Sequence, residues 1–157
     1  MLMQRENLLE TPRQQASEQF RRLQGQAVRS KLWSTLTGRR RTLLKLNQVQ
    51  RTTTLATRAH AGIQLVPIAK ICGSEGRSDD FDADFRPLRA NSMDRWVDIA
   101  IARSRDVPLP AVELVQIGDL YFVRDGHHRI SVAKMAGQLE IEAEVTVWRS
   151  ASIANQS

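Results

Sequence analysis

The chain has 157 residues, 41% of them apolar, 25% charged and 5% aromatic, with a formal net charge of +6. That length suits one compact domain with an appendage, large enough to close a core without a disulfide or metal. Cys72 is the single cysteine, which excludes a disulfide framework and a multi-cysteine zinc site.

Charge divides the chain before any motif does. Residues 1–60 hold 12 Lys/Arg and 3 Asp/Glu, whereas residues 61–157 hold 11 and 14. The split predicts a basic helical arm over 1–60, a globular domain over 61–150 and a disordered tail over 151–157. An arm of that charge suits DNA, and a solvated helix with no partner reads equally well from the same residues. The opening Met1 to Glu10 lacks the basic-then-apolar layout of a secretory signal. No apolar run approaches the roughly 18 residues of a membrane span. A cytoplasmic protein with no membrane partner is expected.

The first strong element is a helix from about Pro12 to Thr37. Thr11 supplies its N-cap, Pro12 sits where a missing N–H costs nothing, and Gly38 is placed to end it. Ala16, Phe20, Leu23, Ala27, Leu32 and Leu36 form its apolar stripe. That stripe can pack on the chain's own body or pair with a second copy, so a homodimer is a further expectation. A short helix is expected around Lys45 to Arg51, ended by the β-branched run Thr52 to Thr54. Leu65 to Ile71 reads as a strand with Pro67 near an edge, and Gly73 to Ser78 as a loop. In that loop Ser74 and Arg77 are able to wrap a phosphate. The acidic run Asp79 to Asp84 then suits Mg²⁺, or a solvated loop pinned by Phe81 and Phe85.

Ser92 is placed to cap a helix from about Met93 to Arg103, stopped by Val107-Pro108-Leu109-Pro110. Ala111 to Ile117 and Leu120 to Arg124 flank Gly118-Asp119, a two-residue hairpin signal. A helix from His127 to Ala136 ends at Gly137, and Ile141 to Trp148 alternates as a closing strand. The order after residue 60 is β, loop, α, β, β, α, β, a small α+β domain.

The densest polar cluster is Asp125-Gly126-His127-His128-Arg129, set between an apolar strand and an amphipathic helix. Glycine at a strand-to-helix turn lets the backbone approach a ligand. The helix start offers unpaired N–H groups and partial positive charge, which suit phosphate. Arg129 adds a planar fork for phosphate oxygens, and the histidines add donors. A capped turn with solvated histidines is the plain alternative. No dedicated metal site is expected, because adjacent residues at a helix start point apart and His60 is remote in sequence. Mg²⁺ held through phosphate oxygens remains compatible with Asp125.

From Val107 to Trp148 the chain resembles the nucleotide-binding core of the ParB/sulfiredoxin superfamily, with the strand near Val66 to Ile71 as its first strand. The resemblance spans about residues 63–148 and implies a small mixed sheet with helices, here preceded by the helical arm. Its turn is similar to three branches. Sulfiredoxins carry Gly-Cys-His-Arg; Gly126, His128 and Arg129 match, but His127 stands at the nucleophilic cysteine, so sulfiredoxin chemistry is not implied. ParB proteins carry Gly-Glu-Arg-Arg-x-Arg, of which Gly126 and Arg129 match while His127, His128 and Ser131 depart. Free serine kinases carry Asp-Gly-His-x-Arg, and Asp125, Gly126, His127 and Arg129 all match. The resemblance implies a nucleoside triphosphate, ATP or CTP, with Mg²⁺. Gly126, His127, His128, Arg129 and Ser131 would bind it. Asp125, His127 and an upstream carboxylate would act in phosphoryl transfer or hydrolysis, with Glu113 taken from the candidates Asp82, Asp84 and Glu113. DNA binding by a ParB-like module is the alternative function.

Overall fold

A computed structural model describes residues 11–38 and 41–151; the expected tail therefore lies outside the described residues except for Ala151. The first helix, α1 (Pro12–Thr37), forms where its caps required. Thr11 and Gln14 make a reciprocal capping box, and Gly38 adopts a left-handed φ of 67°. Then come β1 (Leu44–Lys45), α2 (Leu46–Thr52), β2 (Leu55–Pro67), β3 (Ile71–Ser74), α3 (Met93–Ser104), β4 (Val112–Ile117), β5 (Leu120–Asp125), α4 (His127–Met135) and β6 (Glu140–Ser150).

The six strands make one mixed sheet in the order β1-β3-β5-β4-β6-β2. The β4–β5 and β2–β6 pairs are antiparallel; β1–β3, β3–β5 and β4–β6 are parallel. The fold class is α+β, as expected. The β4–β5 hairpin turns on Gly118 at φ 59°, the two-residue turn read from Gly118-Asp119.

Burial sorts into three clusters. On one side of the sheet, Val112, Leu114, Val123 and Val145 pack against Ile130 and Ala133 of α4 and against Phe81 and Phe85 from the loop after β3. Beyond α4 lies a second layer, where Ala16 and Phe20 of α1 meet Trp96 and Val97 of α3 and Val132 of α4. Phe20 and Trp96 are fully buried and meet edge to face, ring centroids 5.8 Å apart. Leu46 of α2 covers Val115, Phe122 and Trp148 in a third cluster.

This packing corrects the expectation of an arm over 1–60. The boundary at residue 60 falls inside β2, whose thirteen residues pair with β6 from Leu55↔Ser150 to Pro67↔Glu140. Part of the basic excess is also engaged by the body: Arg13 bonds Asp94 and Asp98, Lys45 pairs with Asp79, and Arg58 lies over Trp148. The stretch Leu55-Ala-Thr-Arg-Ala-His-Ala-Gly-Ile carries little strand propensity of its own. It is extended because β6 offers a ladder, and Gly62 (φ 77°) absorbs a bulge there. The expected strand Leu65 to Ile71 is divided by a 3₁₀ turn at Ile68–Lys70, so Gly73 and Ser74 belong to β3 rather than to a loop.

Candidate anion-binding site

Strand β5 and helix α4 meet at Gly126, which sits at φ 104°, a conformation that an L side chain adopts only under strain. Space enforces the same choice. A Cβ on Gly126 would lie 2.5 Å from Cγ1 and 2.8 Å from Cβ of Val112. The chain thus enters α4 abruptly, and no side chain caps the helix. The first-turn amides keep their donors and the positive end of the helix dipole.

A cup of about 110 Å³ opens at this helix start, lined by Arg77, Arg95 and Arg124 together with the turn residues Asp125 to Arg129. Arg77 uses its Nε on Asp80 (2.8 Å), and Arg124 uses its Nε on Glu75 (2.8 Å). Arg95 enters none of the ion pairs formed among the described residues. Arg77 and Arg95 thus meet the cup from two elements, the loop after β3 and α3, whereas the Arg124 guanidinium lies over the Trp148 ring, 5.9 Å from its centroid.

Both histidines are buried, at 3% and 5% exposure. Burial, reinforced by Arg77 and the neighbouring His128, pushes His127 down to about 4. Burial with Arg77 and Arg95 pushes His128 to about 4 as well. Both rings are therefore neutral near pH 7. His127 stacks on Phe81 at 5.7 Å, and its Nε2 lies 2.7 Å from Ser74 Oγ. That oxygen already accepts the N–H groups of Gly76 and Arg77, so its own hydrogen points to Nε2 and the ring proton belongs on Nδ1. The Nε2 of His128 is buried and has no hydrogen-bond partner.

The structure sorts the expected site residues differently from the sequence. Gly126, His127 and His128 reach the cup. Arg129 borders it, with three of its five N–H donors already engaged. Nη1 donates to the carbonyls of Pro110 (2.6 Å) and Ala111 (2.8 Å), and Nη2 donates to Asp125 (2.7 Å). It clamps the strap before β4 to the turn, so it is not a free phosphate fork, and Asp125 is held in the same clamp. His127 is tied to Ser74 and stacked on Phe81. Ser131 is placed elsewhere: it is 2% exposed and accepts the indole N–H of Trp96 (2.9 Å), joining α3 to α4.

Glu113 pairs in register with Asp125 and with Glu144. It lines a larger groove of about 720 Å³ that shares Arg95, Ile99, Asp125 and Arg129 with the cup. The other carboxylate candidates are engaged. Asp82 is 4% exposed and receives the N–H groups of Asp84 and Arg86 and the Nε of Arg86. Asp84 contacts Arg86 and Lys134. No group of three or more His, Cys, Asp or Glu able to hold a metal occurs among the described residues.

Arg95 and Arg124 were not legible as site residues. Arg124 directly precedes the cluster and carried a local signal; Arg95 lies 30 positions upstream of Asp125 and carried none.

No protein-family model and no curated protein matches the chain. Among solved structures it is similar to the sulfiredoxin from Arabidopsis thaliana, at 14% identity and a TM-score of 0.40, covering 53% of this chain and 82% of that one. What the cup can hold follows from its own donors and charges.

Proposed function

We propose that this protein binds a nucleotide, with a phosphate group in the cup at the start of α4 and the nucleoside along the adjoining groove. One observation carries the reading: an uncapped helix N-terminus opens on a cup where Arg77 and Arg95 meet beside two neutral histidines. Buried or converging positive charge is costly without an anion, and oriented amides with guanidiniums suit phosphate oxygens. The cup suits one phosphate group, while the groove has the volume of a small-molecule site.

Arg95 is the principal phosphate ligand in this reading, supported by Arg77; Arg129 holds the site's shape. Mg²⁺ would enter on the phosphate oxygens and would neutralise their charge, with Asp125 and Glu113 of the groove lining as the carboxylates that would hold it. If phosphoryl transfer follows, Glu113 serves as general base. It removes the proton of an acceptor hydroxyl, the oxygen bonds to the terminal phosphorus, and the nucleoside diphosphate leaves with the bridging oxygen's electron pair. ATP and CTP are the first candidates.

Calorimetric titration of ATP, CTP and inorganic phosphate, with Mg²⁺, tests the reading. Wild type binds a nucleotide, and Arg95→Gln loses at least about tenfold in affinity, the scale of one charge-assisted contact. Absence of binding by wild type to every nucleotide refutes it.

A further inference from the structure

The helix α1 is apolar on two opposite sides. At about 100° per residue, with Val28 as origin, the residues it packs inward (Ala16, Phe20, Leu23, Ala27) occupy an arc from about 220° to 280°. Val28, Leu32, Leu36 and Trp33 occupy a second arc from about 0° to 140°. Nothing among the described residues covers that second arc: Leu32 and Trp33 are 64% exposed and Leu36 is 78% exposed. A helix with apolar residues on both sides is built to be held on both sides.

Charge selects the partner. Arg21, Arg22 and Arg29 project from the same outer side as the second arc, and Glu18, its one acidic residue, already faces Arg22 at 4.0 Å. A second copy would bring these arginines against their equals, at a repulsive cost. A nucleic-acid backbone would satisfy the arginines but give Val28, Leu32 and Leu36 nothing apolar to meet. An anionic lipid surface supplies both: headgroup charge for the arginines, and an acyl boundary for the leucines with an indole at the interface.

We propose that the outer face of α1 docks the protein on an anionic membrane surface, with Leu32, Trp33 and Leu36 entering the headgroup–acyl boundary. The sequence-based expectation of no membrane partner rested on the lack of a spanning run, and a helix that lies on a surface needs none. The proposal is independent of the nucleotide site, none of whose lining residues lies on α1.

The test uses the full chain with vesicles of phosphatidylcholine alone and of equimolar phosphatidylcholine and phosphatidylglycerol. The protein should co-sediment with the anionic vesicles only, and added salt should weaken binding. Intrinsic fluorescence reads the contact directly, since Trp96 and Trp148 are 0% and 2% exposed and a blue shift reports Trp33. The double variant Leu32→Ser/Leu36→Ser, altered only at exposed positions, should lose at least about tenfold in partitioning. Three results overturn the proposal: no binding to anionic vesicles, partitioning undiminished in the double variant, or a concentration-dependent dimer of the wild type that the double variant dissociates. In the first of these cases, duplex DNA bound equally by wild type and variant assigns the arginines to a nucleic-acid surface instead.

Discussion

Replacing Arg129 by alanine separates a clamp from a ligand. Its side chain is 12% exposed and makes three short bonds, to the carbonyls of Pro110 and Ala111 and to Asp125. Hydrogen bonds to a charged group contribute about 1.5–3 kcal/mol each, and three on one guanidinium do not add. Arg129→Ala should therefore cost about 2–4 kcal/mol, because two strap carbonyls lose their donor and the buried stem loses its packing. With a urea slope near 2 kcal/mol/M, the midpoint falls by about 1–2 M. Arg95→Gln, at an exposed position, should shift stability by no more than about 0.5 kcal/mol while removing nucleotide affinity. Urea unfolding followed by circular dichroism, paired with calorimetric titration on both variants, reads the two effects. An Arg129→Ala protein that unfolds at the wild-type midpoint and loses only nucleotide binding would refute the clamp and return Arg129 to the role of phosphate ligand.

The turn itself is tested by Gly126→Ala. The positive φ and the 2.5 Å overlap with Val112 should together cost about 2–4 kcal/mol in urea unfolding, and adding Val112→Ala should relieve only the overlap. Acid sensitivity follows from the two buried rings. Their folded values near 4 lie below the ordinary 6.5, so the unfolded chain binds more protons between those limits. Stability is then full above pH 6.5 and declines as pH falls toward 4; thermal midpoints across that window should drop, and His128→Gln should flatten the slope. Phe20→Ala, at a fully buried position against Trp96, should cost about 3–5 kcal/mol. A freely hanging arm would show a change under about 0.5 kcal/mol in the same urea titration.

Local signals carried most of the helical elements. α1 was readable end to end because Thr11, Pro12 and Gly38 act within a few residues of themselves, and α4 because Gly126 and Gly137 bracket it. The β4–β5 hairpin was readable from Gly118-Asp119 for the same reason. β2 was not. Its alanines and Arg58 look like helix or coil until β6 is beside them, since strand formation depends on the neighbour that supplies the ladder.

The candidate site divides along the same line. The chemistry of the Asp125–Arg129 run was present in the residue types, and an anion at a helix start is a local inference from glycine, dipole and donors. Which groups remain free is a distant matter. Arg129 is consumed by carbonyls 18 and 19 positions upstream, Ser131 by an indole 35 positions away, and His127 by a serine 53 positions away. Sequence by itself determined the turn, the caps and the basic excess toward the N-terminus, because those depend on near neighbours. Tertiary structure alone decided that Arg95 replaces Arg129 as the open guanidinium and that α1 keeps a second apolar side, because a hydrogen-bond donor or an apolar face is free only after every remote partner has been counted.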